Sequence, residues 1–385
     1  MKRVFILVLL SVSLQVSSQN SVTINVESPD ISVGDTLTLD HLSLFFYDGI
    51  DRTVFCVADE NGRATIHDAV DSFSRLRLNI GTNYITIYAD AGQTIDIKVE
   101  YPQDMQYVTP TGGFYDDQGY YDYLSKHNTF ICNKNHAFEK FHFFSMIGEN
   151  DSVQHYMSLY NSLNGKDDSK REYEFMKRTD NQVSVYLYAH ELGMDNVEKK
   201  DFEKKWKKMD EDIKTSGAGQ YFKQTMEARQ SLRPGAQAHD FSITDTEGNR
   251  IELDNLKGRF VLLYYWGVCG YVLRSWSDVV DLHEKYDNCL TTIALTQEST
   301  FNQVNNYNQY NTDPLLLPLK GLIRDDWSNV LTNQDNEQIK EDYLMMATPC
   351  VVFISPKGRV IKHGYANVLK TAKTRLWLYS IFHRK

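Results

Sequence analysis

Apolar positions along the chain change their period twice. From Ser21 to about Tyr101 they alternate with polar ones in the short runs VTINV, TLTL, TVFCV, YITIY and TIDIKV, separated by turn signals such as Asn61-Gly62 and Ala91-Gly92. A period of two, broken at short intervals by turns, predicts an antiparallel, sandwich-like β domain over residues 19–106. From about Tyr107 to Leu232 the segments FEKFHFFSMI and DFEKKWKKMDEDIK space their apolar residues three or four apart, and no proline lies between Pro110 and Pro234. That spacing is helical, so residues 107–232 are expected to form an α-helical middle region. From Pro234 onward the runs FVLLYYW, LTTIAL, CVVFIS and RVI alternate with helical or loop stretches, and Leu369, Ala372, Leu376, Leu378 and Ile381 make one apolar stripe near the end. Strands separated by helical segments predict an α/β sheet over residues 233–385, closed by an amphipathic helix.

Length and composition narrow the class. A chain of 385 residues exceeds one ordinary domain, and 42% hydrophobic with 24% charged residues is the balance of a globular protein, not of a disordered one. The opening MKRVFILVLLSVSLQVSS carries Lys2 and Arg3, an apolar run from Val4 to about Leu14, and Val16 and Ser18 at the spacing that a signal peptidase reads. Residues 1–18 are therefore expected to be a cleaved signal peptide that exports the chain. Ser11, Ser13 and Gln15 cut the run short of the ~18 residues that an uncleaved membrane anchor needs. No cysteine follows the run to carry a lipid, and membrane contact is not expected after cleavage. Loss of Lys2 and Arg3 from the 41 basic residues leaves 39 against 51 acidic ones, a net charge of −12. That sign argues against a nucleic-acid partner, whose phosphates demand Lys and Arg.

Five cysteines, Cys56, Cys132, Cys269, Cys289 and Cys350, are an odd number for an exported chain, so at least one thiol stays free or pairs outside it. Their wide spacing gives no CxxC pair and no Cys/His cluster at zinc spacing. Neither a disulfide framework, a metal site nor a cofactor is expected. Cys56 and Cys289 fall in or beside strand-like runs and read as small core residues. No glycine-rich phosphate loop and no Ser/His/Asp grouping stands out. The stretch VLLYYWGVCGYVLRSW is different: it reads as a buried strand that breaks at a tight turn and delivers Cys269 to the start of a helix.

The surroundings of that stretch carry a likeness. PGAQAHDFSITDTEGNRIELDNLKGRFVLLYYW resembles the opening of the periplasmic thioredoxin-like proteins of the TlpA and ResA type, within the AhpC/TSA group, with Gly235, Ala238, Asp240, Phe241, Gly248, Leu253, Leu256 and Gly258 in the matching places. Further on, YLMMATPCVVFISPKGRVI resembles the segment in which that family has a tyrosine, a cis-proline, a strand and a Lys-Gly turn. Tyr343, Pro349, Lys357 and Gly358 fill those places. The likeness implies a thioredoxin-like fold for the C-terminal domain. A β-rich domain, a helical linker and such a domain in that order resemble an arrangement in exported proteins of Gram-negative gut bacteria, which implies a periplasmic or cell-envelope location.

In that family the active site is a Trp-Cys-x-x-Cys at the strand-to-helix turn. Its first cysteine attacks a substrate disulfide as a thiolate favoured by the helix N-terminus, and its second resolves the mixed disulfide. The resemblance therefore assigns catalytic roles to Cys269 and Pro349, with Trp266, Thr348 and Cys350 as secondary candidates. This sequence departs from the pattern, because the span from Trp266 to Tyr286 is one residue short. If the missing residue lies in the turn, Cys269 is the nucleophile, Tyr271 replaces proline and Val272 replaces the second cysteine. If Arg274 is aligned with the arginine that follows the family motif, Gly270 and Leu273 take the cysteine places and both thiols are lost. A deletion in the turn is favoured, since one inside the helix rotates its buried face by about 100°. Tyr264 stands where relatives carry a small polar or acidic group. Cys350, directly after Pro349, is the one candidate for an internal disulfide with Cys269, which requires Cα atoms within about 7 Å. A peroxidase of the peroxiredoxin type is excluded, because Trp266 and Leu262 stand where it needs threonine and proline.

Two functions follow. In the first, the chain is an exported thiol-disulfide oxidoreductase of weak or monothiol type that exchanges with protein thiols or disulfides of the cell envelope, with an external thiol or Cys350 as resolver. In the second, the fold persists as a redox-silent scaffold whose other regions bind a cell-envelope protein or ligand. The missing second cysteine favours the scaffold. Retention of Cys269 and Pro349 favours the oxidoreductase, which is the expectation carried forward.

Overall fold

In SVTINVE the alternation sends Val22, Ile24 and Val26 to one side of a strand and polar residues to the other, and all three apolar side chains are buried. The same rule builds the rest of the N-terminal sheets in the computed structural model, which describes residues 21–29, 31–44, 49–70, 72–163, 166–191, 199–310, 321–333 and 336–382. The signal peptide expected at residues 1–18 lies outside the described residues. Strands β1 (Ser21–Glu27), β2 (Thr36–Leu42), β3 (Ile50–Val57), β4 (Arg63–Ala69), β5 (Ser74–Ile80), β6 (Asn83–Ala89) and β7 (Thr94–Lys98) form a β4-β1-β7 sheet and a β3-β2-β5-β6 sheet. Most neighbours are antiparallel, but β1 and β7 run parallel, with Thr23 opposite Thr94. The expectation of a wholly antiparallel domain is corrected there, because the chain reaches β7 through all the other strands and no tight turn sets its direction. β3 is a sheet edge exposed along most of its length, so Cys56 is half-buried, not a core residue.

Helices follow: α1 (Gln118–Ile147), α2 (Asn150–Leu163), α3 (Lys166–Met176), α4 (Gln182–Glu191), α5 (Lys199–Lys208), α6 (Glu211–Thr215) and α7 (Gly217–Ser231). Asp117 caps α1 by accepting from Tyr120 N at 2.8 Å, and Gly148, with φ 76°, stops it in the left-handed conformation. Tyr120 stacks between Tyr115 and Phe175, each 5.2 Å away. The chain separates into two compact units, Met1–Leu42 with Ile50–Phe175 and Ser43–Gly49 with Met176–Lys385. The dividing line falls inside the helical stretch, so α1 and α2 go with the β-rich unit while α4 to α7 go with the C-terminal one. No helix among the described residues is long and apolar enough to cross a membrane.

The C-terminal unit continues with β8 (Ser242–Thr244), β9 (Arg250–Glu252), β10 (Phe260–Tyr265), α8 (Gly270–Tyr286), β11 (Leu290–Thr296), α9 (Glu298–Tyr310), β12 (Ser328–Leu331), α10 (Gln338–Asp342), β13 (Cys350–Ile354), β14 (Val360–Gly364) and α11 (Asn367–Phe382). Its main sheet has the order β12-β11-β10-β13-β14, with β11 parallel and β13 antiparallel to the central β10. Every residue of β10 is buried, as a strand covered on both faces requires. Phe260, Leu262 and Tyr264 share one cluster with Val272, Trp276, Val279 and Leu282 of α8 and with Leu369, Ala372 and Leu376 of α11. The stripe expected on α11 ends sooner than its sequence suggests: Leu378 and Ile381 are 37% and 42% exposed. Leu378 is two positions beyond Leu376, about 200° around the helix, and so faces away from the sheet.

All five tryptophans lie in the C-terminal unit, so their fluorescence reports its unfolding alone. Phe353 is fully buried and stacks on Phe260 at 5.3 Å. Phe353→Ala is expected to lower the stability of this unit by about 3–5 kcal/mol, read as a shift of the tryptophan-monitored denaturant midpoint. A midpoint within error of the parent protein would contradict the packing described.

Candidate thiol site

β10 ends at Tyr265 and α8 begins at Gly270, so the segment from Trp266 to Cys269 makes the whole turn. Trp266 stays in the core: its N–H donates to Leu295 O at 2.9 Å and its carbonyl accepts from Thr296 Oγ1 at 2.8 Å. Gly267 lets the turn approach its neighbour closely, since a Cβ there would sit 3.0 Å from Thr348 Oγ1. Cys269 is the N-cap residue of α8, in extended backbone with φ −148° and ψ 160°, and its carbonyl accepts from Leu273 N at 3.1 Å. Its side chain makes no bond to the first amides of the helix. The thiol is half-buried and donates to Thr348 O at 3.6 Å, with Thr348 Oγ1 at 4.0 Å. The Thr348-Pro349 peptide bond is cis. The structure thus brings Cys269, Thr348 and Pro349 to one place.

Behind the thiol the space is filled. Val272, three residues on, is fully buried in the cluster between α8 and the sheet. The Tyr264 hydroxyl and Ser275 Oγ share a hydrogen bond of 2.9 Å, and the Tyr264 ring lies 5.6 Å from that of Trp276. Burial pushes the Tyr264 phenol well up, so at neutral pH it is a hydrogen-bonded wedge and not a proton acceptor. In front, Tyr271 is 70% exposed, Val268 is also exposed, and the Arg274 guanidinium lies over the Tyr271 ring at 4.7 Å. Sequence reading did not single out Val268 as part of this rim. Its place between Gly267 and the helix start was the available signal.

Cys350 is placed differently. It sits on β13 opposite Tyr265, fully buried, with its sulfur 3.6 Å from His363 Nε2 and 4.0 Å from Leu344 O. It shares none of the hydrogen-bond partners of Cys269, and both thiols are free. Burial pushes the Cys350 thiol up, so it remains protonated. Burial, and after it the nearby Arg229 guanidinium, lowers the His363 imidazole to about 4. Cys289, expected in the core, is half-buried. One grouping escaped sequence reading altogether. Asp104, Cys132 and His136 bring their ligand atoms within 4.8 Å of one another, and Asp104 precedes Cys132 by 28 residues, a separation that only the fold closes.

Residues 234–363 match the AhpC/TSA family. Over 161 residues the chain is 24% identical to the thiol-disulfide oxidoreductase ResA of Bacillus subtilis, an overlap of 38% of this chain and 81% of that protein. The C-terminal domain is similar to the TlpA/ResA-like proteins. A second ResA, from Bacillus thuringiensis, is 35% identical over 85 residues, which is 21% of this chain and about half, 49%, of its own length. Among solved structures, a thiol:disulfide interchange protein from Bacteroides sp. overlaps 40% of this chain and 97% of its own, at 18% identity and a TM-score of 0.31. The thioredoxin domain of a thiol-disulfide oxidoreductase from Bacteroides vulgatus overlaps 38% and 99%, at 18% identity and a TM-score of 0.29. The C-terminal domain has a thioredoxin-like fold, with Cys269 at the head of α8.

Burial alone separates two of the thiols. In the folded protein a maleimide is expected to label Cys269 while Cys350 reacts roughly 100-fold more slowly or less, because modification of a fully buried thiol waits for local opening. Peptide mapping of partially labelled protein reads this, and comparable rates would contradict the placement of Cys350.

A pH dependence follows from His363. Its folded value of about 4 lies below the ~6.5 of an unfolded histidine, so the unfolded chain binds the extra proton. The corresponding stability is fully present above about pH 6.5 and is lost as pH falls toward 4. His363 is half-buried as a residue, so a loss of about 1–2 kcal/mol is expected, less than the full shift implies. Tryptophan-monitored denaturation from pH 7 to 4 tests this: His363→Asn should flatten the profile relative to the parent, and parallel profiles would overturn the assignment.

Proposed function

We propose that this chain is an exported thiol-disulfide exchange protein that works through a single thiol, Cys269. The observation that carries the reading is the position of its sulfur, half-buried at the head of α8 and 3.6 Å from the Thr348 carbonyl, with the hydrocarbon of Val272 three residues further on. Of the two alignments left open by the sequence, this placement favours the one in which Cys269 is the nucleophile and Val272 replaces the second cysteine. Export rests on the N-terminal sequence, and the substrates on this reading are protein thiols or disulfides of the cell envelope.

The chemistry is one half of the dithiol cycle. Cys269 Sγ attacks one sulfur of a substrate disulfide as a thiolate; the new Cys269-to-substrate disulfide forms, the old bond breaks, and the other substrate sulfur leaves as a thiolate that takes a proton from water. The Thr348 backbone beside Pro349 offers an extended substrate a place to align, and the exposed faces of Val268 and Tyr271 offer it apolar contact. Val272 provides no thiol to complete the cycle internally. The mixed disulfide persists until a thiol of another molecule attacks it, takes the substrate sulfur into a new disulfide, and returns Cys269 to the thiol.

The test is intact-mass analysis of the reduced protein after exposure to a disulfide-bonded peptide. One peptide adduct per chain, mapped to Cys269, is expected; Cys269→Ser should form none. Val272→Cys should release the peptide and raise turnover of a disulfide substrate by roughly 10-fold or more, because resolution becomes intramolecular. An unreactive Cys269 in the folded parent protein would leave the redox-silent scaffold as the function of this domain.

A further inference from the structure

Away from the thiol turn, the N-terminal unit holds a second set of sulfur, nitrogen and oxygen atoms. Cys132 and His136 stand one turn apart on α1, so both side chains leave the same helix face. The 3-10 helix at Pro102–Tyr107 lays Asp104 against that face. His136 Nε2 donates to Asp104 Oδ1 at 2.8 Å, and Cys132 Sγ lies 3.9 Å from each of these two atoms. The triangle does not depend on that one bond. Asn128 Nδ2 donates to Val108 O at 3.1 Å, and Asn135 Nδ2 donates to the Tyr107 hydroxyl at 2.6 Å, so two amides of α1 hold the incoming segment from either side.

We propose that Asp104, Cys132 and His136 bind one Zn2+, with solvent in the fourth position. A thiolate, an imidazole and a carboxylate are the ligand types that this cation takes, and they select against the hard cations that prefer oxygen alone. Around a tetrahedral zinc with bonds of about 2.0–2.3 Å the ligand atoms stand about 3.3–3.6 Å apart, so each edge of the existing triangle has to change by only about half an ångström. His136 and Asp104 side chains, 46% and 24% exposed, have the freedom to make that change and leave an open side for entry. Binding transfers the Cys132 thiol proton to solvent, moves the His136 proton from Nε2 to Nδ1 by exchange with solvent, and replaces the His136-to-Asp104 hydrogen bond by two bonds to the metal. The bound ion would then pin the segment after β7 to α1.

The experiment uses the full chain, reduced and freed of metal by chelation. Titration with Co2+ is expected to give a thiolate-to-metal charge-transfer band that saturates at one equivalent and is bleached by Zn2+. Cys132→Ser should abolish the band, and His136→Ala should weaken Zn2+ binding roughly 10–100-fold, with circular dichroism confirming that both variants fold. In the parent protein, without any substitution, Zn2+ should protect Cys132 from alkylation and leave Cys269 reactive. Absence of the band, its survival in Cys132→Ser, or unprotected Cys132 in saturating Zn2+ would each overturn the assignment, and none of these outcomes bears on the role of Cys269.

Discussion

Six consecutive buried residues, Phe260 to Tyr265, force the C-terminal unit to cover its central strand on both sides, and the position of the thiol follows from that requirement. A strand buried on both faces has to end where the cover ends. Trp266 is the last residue still bonded to the sheet, through Leu295 and Thr296, and the chain then turns tightly because Gly267 permits close approach to Thr348. α8 begins where the chain has to return to cover the strand, so Cys269 is presented at the edge of the sheet and not within it. The same burial fixes the other wall of the site. β13 pairs with β10, with Tyr265 opposite Cys350, and that register sets Thr348 and Pro349 beside the turn.

Packing behind the turn determines what chemistry the thiol has available. Val272, Tyr264, Ser275 and Trp276 close the space with hydrocarbon, one shared hydrogen bond and a tilted ring pair. A buried thiol and a nearby carboxylate in this space would each carry a desolvation cost, whereas a valine in the same place adds roughly 1.5–3 kcal/mol of apolar burial. On the proposed reading the domain keeps the nucleophile, which lies at the surface, and replaces the resolving apparatus, which lies inside, with core. The two halves of the site are separable because they occupy different environments.

The parts of the fold that sequence reveals are those set by local periodicity. Alternation located the N-terminal strands, the three-to-four spacing located the helices, and the break after FVLLYYW located the turn with Cys269 at the helix start. Long-range pairing was not legible. Nothing in TIDIK shows that it runs parallel to SVTINVE, since the direction of that pair is set by the chain path between them. TVFCV alternates like a buried strand, yet β3 is a sheet edge with mostly exposed side chains, so Cys56 loses the cover that its sequence context promised. The line between the two compact units falls at Phe175 because Phe175 stacks on Tyr120 and Tyr123 of α1, contacts between residues some fifty positions apart in sequence. The Asp104, Cys132 and His136 grouping was hidden for the same reason: two of its members share a helix face, while the third arrives from a separate segment.

The cysteines show how environment, not residue type, divides one functional group among several fates. Cys350 is enclosed by β13 and His363, and its neutral, protonated state is the one that burial favours. A thiol held in that way is inert to disulfides, because attack needs both a thiolate and an approach path. Cys132 lies part-buried between the carboxylate of Asp104 and the imidazole of His136, where a carboxylate so close opposes a bare thiolate but supports one that shares a cation. Cys269 alone combines partial exposure with a helix start on one side and a backbone carbonyl on the other. An odd number of thiols in one chain is therefore compatible with a single site of exchange, provided that the fold withholds the others by enclosure, by coordination or by position.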